Sequence, residues 1–205
     1  MIRNALLLML LLTSTLAHAQ SDQRLMHGKR VSKAKACPRA YIGFSTGINN
    51  PVGFIGPQVD IAINPEISIG SGVGLSTWGT KVFLEGRYYF GLCNQGWAIG
   101  SGITHNTGTK NLPLPSVHTI YGEQDVVIDQ YPQTNFMLSG YYFFPLGHSG
   151  RNRFHVQAGY SIPLTERARY DSNYPLTQKG QNQIYFLSPG GIIVGLGFSF
   201  GIGGM

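Results

Sequence analysis

The sequence predicts an all-β protein, an eight-stranded antiparallel up-and-down transmembrane β-barrel. From Tyr41 to Gly203, apolar residues recur at every second position, and clusters of Gly, Pro or Asn interrupt the runs about every ten residues. No segment in this region approaches the roughly 20 apolar residues of a spanning helix, so strands would have to cross the membrane. The chain also contains 28 Gly, with 42% hydrophobic and 12% charged residues. This composition favours one domain of tightly turned β-structure over a disordered chain or a helical bundle.

The N-terminal segment predicts export. Arg3 precedes an apolar stretch from Ala5 to Leu12, which ends in the small-residue site Ala17-His18-Ala19. This is the pattern of a secretory signal peptide, and we expect cleavage before Gln20. Residues 1–19 are therefore the predicted signal peptide and residues 40–204 the predicted barrel.

Residues 20–39 form a basic leader that we expect in the periplasm. Basic side chains crowd it, and Asp22 is its one acidic residue. It could contact anionic lipid headgroups or a periplasmic partner, or it could serve only as a solubilising tail. The net charge of +6 does not indicate a nucleic-acid partner, because export removes the chain from the cytoplasm.

The alternation of residue types is clearer in some predicted strands than in others. In the third strand, Ser68, Gly70, Gly72 and Gly74 alternate with mostly larger residues. In the fourth, the charged residues all occupy alternate positions, so that they share one face, or parity, of the strand. In the last, large residues from Ile192 to Ile202 alternate mostly with Gly and Ser. In chain order the eight segments are Tyr41 to Ile48, Val59 to Ile63, Ile67 to Leu75, Val82 to Phe90, Trp97 to His105, Phe136 to Phe144, Phe154 to Leu164 and Ile192 to Ile202.

The connections between these strands fall into two groups. Alternate connections of an up-and-down barrel share one side of the membrane, and the two long ones, residues 106–130 and 165–183, do so. The opposite side has only short turns, as expected for the periplasmic side. Aromatic clusters at residues 88–90 and 141–144, with Phe198 and Phe200, lie near that side and predict an interfacial girdle.

Over Tyr41 to Gly203 this pattern resembles the small eight-stranded outer-membrane proteins of the OmpA and OmpX type, within the outer-membrane β-barrel domain family. The resemblance implies a monomer in the bacterial outer membrane, in contact with its lipid and lipopolysaccharide. Independently of the resemblance, the long loops at residues 106–130 and 165–183 are the surfaces on which a partner protein could bind outside the cell, and the basic leader could contact one in the periplasm. No cofactor is predicted.

The predicted lumen is polar and narrow. Eight strands enclose only enough space for side chains, so a wide pore is excluded. We consider two hypotheses: a structural plug of ion pairs and hydrogen bonds, or a proton or ion path through Asp60, Glu85, Arg87 and His155. The inward-facing polar cluster predicted by parity consists of Asp60, Lys81, Glu85, Arg87, His155 and Gln157.

Catalytic and metal-binding patterns are scarce. No nucleophile elbow, zinc-ligand pair or phosphate-binding loop occurs in a supporting context, so no metal site is predicted. The fragment His105-Asn106-Thr107 is similar to the His-x-Ser-Asn motif of outer-membrane lipid A deacylases. That resemblance implies an acyl-ester hydrolase centred on His105 and Thr107, with Glu123 as the acidic candidate.

Cys37 and Cys93 both fall at the predicted periplasmic rim. An oxidising compartment permits a disulfide between them, but they belong to opposite arcs of the barrel. The leader would have to cross the lower mouth to bring their Cα atoms within about 7 Å, and the pairing stays open.

The function that the sequence favours is that of an integral outer-membrane barrel with a structural or surface-interaction role, which binds or adheres through its loops. The first alternative is the lipid A acyl-ester hydrolase. The second is a soluble periplasmic β-barrel that binds a lipid-like ligand inside. It requires the large apolar residues to face inward and Lys81, Glu85 and Arg87 to face water.

Overall fold

The computed structural model describes residues 37–147, 150–166 and 169–204. The predicted signal peptide and residues 20–36 of the leader lie outside this range. The described residues form eleven strands, one α-helix and a short 3-10 turn at Leu92–Asn94. In chain order they are β1 Ala40–Ile48, β2 Ile55–Ala62, β3 Ile67–Ser76, β4 Gly79–Tyr89, β5 Gly96–Asn106, β6 Leu112–Thr119, β7 Gly122–Gln130, β8 Gln133–Leu146, β9 Asn152–Pro163, β10 Tyr170–Ser172, α1 Gln178–Leu187 and β11 Gly191–Ile202.

Eight strands close into a barrel, in the order β1-β11-β9-β8-β5-β4-β3-β2. Neighbouring barrel strands run antiparallel, and β11 closes on β1 in a register that runs from Ala40↔Ile202 to Ile48↔Val194. The predicted fold class, a closed eight-stranded up-and-down barrel, is confirmed. Some strands extend beyond their predicted ends, where polar residues continue the alternation. Strand β8 begins at Gln133 rather than at Phe136, because Gln133 and Asn135 point into the lumen.

The outer face of the barrel is apolar on all eight strands. The large outward side chains near the middle of the strands are 36–61% exposed, and those nearer the strand ends reach 68% at Ile192, while their neighbours in sequence are mostly buried in the lumen. We call this outward set the belt: Ile42, Phe44, Ile61, Ile69, Val73, Leu84, Ile99, Ile103, Leu138, Val156, Tyr160, Val194 and Leu196.

This orientation excludes the soluble lipid-binding alternative. That hypothesis placed the apolar residues inside and Lys81, Glu85 and Arg87 in water, whereas the structure buries all three charged side chains in the lumen. That alternative was wrong because the parity it required is reversed: the charged residues face the lumen, and large apolar residues such as Leu84 and Ile99 face outward.

The aromatic girdle is smaller than predicted. Tyr89, Tyr141 and Phe143 are buried inside the barrel, since successive residues of a strand face opposite sides. The outward aromatic residues pair on the outer surface, as in Trp97 with Tyr142, whose ring centroids lie 5.0 Å apart.

A second sheet has three strands, in the order β10-β7-β6. We call this sheet and helix α1 together the cap. Its core contains Trp78, Val117, Val126, Ile128 and Ile184. The hairpin β6–β7 lies within the predicted loop 106–130. Helix α1 was not predicted, because most residues of its first two turns are polar.

Tertiary contacts explain why this helix forms. The Thr177 hydroxyl caps it by accepting a hydrogen bond from the Gly180 amide at 3.3 Å, and Ile184 packs into the cap core. Within the described ranges, no helix has the length and apolarity needed to span a membrane.

Candidate functional site: a filled lumen beneath a folded cap

An ionic cluster fills the lumen at the end opposite the cap, where β1 begins and β11 ends. The Asp60 carboxylate pairs with the Arg153 guanidinium and, at 3.3 Å, with the Arg87 guanidinium. The same Asp60 oxygen accepts a hydrogen bond of 2.8 Å from the Tyr89 hydroxyl. All four side chains are buried. Burying a charge that is paired and hydrogen-bonded costs far less free energy than burying an isolated one. The burial of each of these charged groups therefore depends on its partners in the cluster.

Hydrogen bonds continue from this cluster toward the cap. Arg87 pairs with Glu85 at 2.8 Å, and the Tyr141 hydroxyl donates to the Glu85 carboxylate at 2.8 Å. Gln157 donates from Nε2 to the Tyr141 hydroxyl at 2.8 Å, and its Oε1 accepts from Asn50 at 3.3 Å. Asn50 belongs to the β1–β2 connection at the cap end. One chain of side-chain contacts therefore runs along the lumen.

Lys81 and His155 are in the lumen, as parity predicted, but outside this chain of contacts. The Lys81 ammonium donates to the Asn49 carbonyl at 3.2 Å, and no carboxylate of the described residues lies within ion-pair distance of it. The His155 ring lies 5.1 Å from the Phe143 ring and 5.9 Å from that of Tyr141, and its Nδ1 has no hydrogen-bond partner among the described residues. His155 therefore does not extend a path between Asp60 and Glu85.

Two central members of the cluster, Arg153 and Tyr141, are not among the inward-facing residues predicted from the sequence. Arg153 shares the inward parity of His155 and Gln157, but it precedes Phe154, where the predicted strand begins. Its guanidinium lies 3.5 Å from the centre of the Tyr41 ring and is only 1% exposed. Tyr141 was assigned to the girdle as part of an aromatic cluster. Extending the parity of His155 and Gln157 by two residues would have identified Arg153, and the parity of the predicted strand Phe136 to Phe144 already places Tyr141 inward.

Glycines on the inner face make room for these side chains. A Cβ at Gly70 would lie 3.0 Å from the Arg87 guanidinium carbon, and one at Gly197 would collide with the His155 ring. A Cβ at Gly100 would likewise collide with the Glu85 carboxylate. The small inward-facing residues of these strands therefore leave the space that the long polar side chains of the adjacent strands occupy.

The end of the lumen opposite the cap is covered by the turn that follows β4. Cys37 and Cys93 form a disulfide with their Cα atoms 4.9 Å apart. The Tyr41 hydroxyl donates to the Cys93 carbonyl at 2.9 Å, and Arg153 donates to the Asn94 carbonyl at 2.6 Å. Cys93 and Asn94 both take left-handed backbone conformations, which turn the chain toward the lumen.

The turn, rather than a long leader, spans the gap between the two cysteines. Arg39 already pairs with both neighbouring strands, through its amide to the Ile202 carbonyl and through its carbonyl to the Ala62 amide. Cys37 is thus held close to β1. The expectation that the leader itself must cross the mouth was wrong, because residues 91–95 provide the reach.

The acyl-hydrolase hypothesis does not find its geometry in this structure. His105 faces outward as predicted, but its Nδ1 lies 2.9 Å from the Thr134 hydroxyl. The Thr107 hydroxyl accepts from the Thr80 amide and donates to the Gly108 carbonyl. Glu123 pairs with His118 at 3.3 Å near the tip of the cap hairpin. Each of the three residues has a different partner, so no nucleophile, base and acid are aligned.

The cap is attached to the barrel by a buried tryptophan. Trp78 lies in the β3–β4 turn, is fully buried in the cap core and donates from its indole nitrogen to the Tyr131 carbonyl at 2.7 Å. The Tyr131 hydroxyl donates to the Asp171 carboxylate at 2.5 Å, and this hydrogen bond raises the pKa of Tyr131. The cap is therefore a folded unit held on the barrel rim. In the parts of the chain that the structure describes, no group of His, Cys, Asp or Glu side chains is arranged to hold a metal ion.

These features define a closed eight-stranded β-barrel protein with a filled interior and a folded cap. No family model matches the chain, and no curated protein matches it. Among solved structures it is similar to the N-terminal β-barrel domain of Pseudomonas aeruginosa OprF. The identity is 13%, the TM-score is 0.44, and the alignment covers 80% of this chain and 97% of that domain. The strand pairing of this chain, rather than the likeness, establishes its fold.

Proposed function

We propose that this protein is a monomeric, integral outer-membrane β-barrel that anchors the cap at the outer surface for interaction with other molecules. One observation carries the proposal: the distribution of residues is inverted, with an apolar belt around the barrel and buried charges inside it. A soluble monomer rarely exposes a contiguous apolar patch of more than a few hundred Å². In a bilayer the same belt is favourable, and the closed strand pairing leaves no barrel edge unpaired.

The cap end is assigned to the outer surface and the disulfide end to the periplasm. The longer connections, which contain the whole cap, are at one end, as is usual for outer-membrane barrels. The opposite end carries the Cys37–Cys93 bond, and such bonds persist in an oxidising compartment. On this assignment the belt meets outer-membrane lipid and lipopolysaccharide, and the cap is the surface available to a partner protein.

The lumen acts as a plug. Direct contacts from Asn50 to Arg153 join the cap end to the disulfide end, and the turn at residues 91–95 covers the latter. An ion would have to displace paired charges at several successive positions. We therefore expect no stepwise conductance from the purified protein in planar bilayers, whereas steady channels abolished by Asp60→Asn would favour the ion-path hypothesis instead.

Membrane insertion is tested with two matched arginine substitutions. Leu84 on the belt and Tyr121 on the cap are both exposed, by 60% and 67%. Leu84→Arg should reduce insertion, because arginine on the lipid face costs about 2–4 kcal/mol near the bilayer midplane. Tyr121→Arg should be tolerated, because the cap faces water.

The assay follows the outer-membrane fraction after alkaline extraction and compares unboiled with boiled samples on a denaturing gel. We expect a heat-modifiable, membrane-retained band for the natural chain and for Tyr121→Arg, and a marked loss for Leu84→Arg. Release of the natural chain by alkali without a mobility shift, or equal tolerance of both variants, would contradict the proposal.

A further inference from the structure

An apolar groove of about 630 Å³ lies on the outside of the barrel at the cap end. One wall is the rim, where Ile48, Phe54 and Ile192 belong to the outward-facing surface of β1, the β1–β2 connection and β11. The other wall is the C-terminal turn of α1, with Phe186 and Leu187. Its volume falls within the roughly 300–1,000 Å³ of sites that hold small molecules.

The groove is a fixed feature of the fold. The Thr77 hydroxyl donates to the Leu187 carbonyl at 2.8 Å, which holds the end of α1 against the β3–β4 turn. Asn49 donates to the Gly190 carbonyl at 2.8 Å and holds the following segment against the β1–β2 connection. On its other face, α1 buries Ile184 in the cap core. The helix therefore cannot move away from the rim without breaking these contacts.

The position of Phe186 indicates an apolar occupant. Its side chain is 89% exposed, whereas Ile184, two residues earlier, is fully buried. Ile48 and Ile192 in the opposite wall continue the belt, so the groove opens directly onto the surface that faces lipid under the proposed function. An acyl chain from the surrounding leaflet can enter it without crossing water.

A cation lies at the other end of the same helical face. Lys179 precedes Phe186 by seven residues, which is two turns or about 10 Å along the helix axis. A shallow depression lined by Lys179, Asn182, Gln183 and Phe186 joins the two positions. Thr177, at the start of α1, hydrogen-bonds to the His118 carbonyl of β6, so the helix rises from the rim into the cap. Lys179 therefore lies farther from the belt than Phe186 does.

We propose that this groove binds one lipid of the outer leaflet, with an acyl chain against Phe186 and the rim and an anionic headgroup phosphate beside Lys179. The inference rests on the proposed membrane location and names a specific lipid site within it. An apolar base continuous with the belt and a cation two turns above it match the length and polarity of a phosphate-bearing membrane lipid.

Quenching by brominated lipids tests the site. The natural chain has two tryptophans, of which Trp97 faces outward and Trp78 is buried. In a Trp97→Phe background, Phe186→Trp places a reporter in the groove. Ile103→Trp is the matched control, because Ile103 is on the belt near the cap end of β5, four strands from β1 in the closed barrel. Each variant is reconstituted in phosphatidylcholine vesicles that contain equal fractions of brominated phosphatidylglycerol or brominated phosphatidylcholine.

We expect the phosphatidylglycerol probe to quench the Phe186→Trp indole with about fivefold higher apparent affinity than the phosphatidylcholine probe, as one lysine near an anionic lipid would produce. The Ile103→Trp indole should not distinguish the two lipids, and Lys179→Gln should abolish the preference at Phe186→Trp. Equal quenching by both lipids at both positions would overturn the lipid site while leaving the membrane location intact. A preference that survives Lys179→Gln would also overturn it, whereas no quenching at either position would overturn the membrane location itself.

Discussion

Asp60→Asn tests the charge pairing of the lumen. Among the described residues, Asp60 is the carboxylate that pairs with Arg153 and one of two that pair with Arg87. Asparagine keeps the size of the side chain but removes the negative charge. Arg87 and Arg153 would then remain buried with Glu85 as the nearest opposite charge, and Glu85 contacts only the first of them.

The expected cost is about 3–5 kcal/mol of unfolding free energy, the usual consequence of removing one partner from a buried ion pair. The same change at an exposed pair would cost about 0–1 kcal/mol. These ranges do not overlap, so the measurement distinguishes a tightly packed lumen from a water-filled one.

The assay is urea unfolding of the barrel reconstituted in vesicles, followed by loss of the heat-modifiable band. The control is the double variant Asp60→Asn with Arg153→Met, which removes both charges. Its stability should recover toward that of the natural chain, because replacing a buried pair by a well-packed apolar side chain is often neutral. A cost for Asp60→Asn below about 1 kcal/mol would refute the plug, since hydrated charges need no partner.

Three further predictions concern other parts of the structure. Replacing Cys37 and Cys93 with serine should cost about 4 kcal/mol in the same assay, because the bond joins residues 56 apart in sequence. Reductant should destabilise the natural chain but not this variant, and equal sensitivity would contradict the bond. Lys81→Met should stabilise the barrel by about 1 kcal/mol or more, because it removes a buried ammonium that has no carboxylate partner among the described residues. A clear loss of stability would instead indicate an unrecognised partner. Trp78→Ala should cost the cap about 3–5 kcal/mol and expose it to limited proteolysis, while Trp97→Ala leaves cap cleavage unchanged. Equal cleavage of both variants would show that Trp78 does not hold the cap.

The predictable part of the lumen follows from parity. Asp60, Glu85, Arg87 and Gln157 were assigned inward from two-residue periodicity, and the structure brings them into one chain of contacts. Parity cannot specify which inward residues touch, because that depends on the stagger between strands. Lys81 and His155 share the inward parity of the others, yet the stagger leaves them outside the chain.

The acyl-hydrolase hypothesis failed for a related reason. A short motif fixes spacing along one strand, whereas a triad needs partners across strands. The register places Thr134 opposite His105, and the two side chains form a hydrogen bond. Glu123 lies on the cap hairpin, where it pairs with His118. The number of residues between His105 and Glu123 in the sequence does not predict how far apart they lie in the fold.

Local sequence determined the barrel itself: alternation of apolar and small or polar residues specifies both the strands and their faces, since a strand's side chains must alternate. Tertiary structure alone decided the rest. Helix α1 forms because Ile184 packs against the cap core, and the disulfide forms because the turn at residues 91–95 reaches Cys37. Both depend on contacts between segments far apart in the chain, and the strand stagger and the paths of the connections determine those contacts.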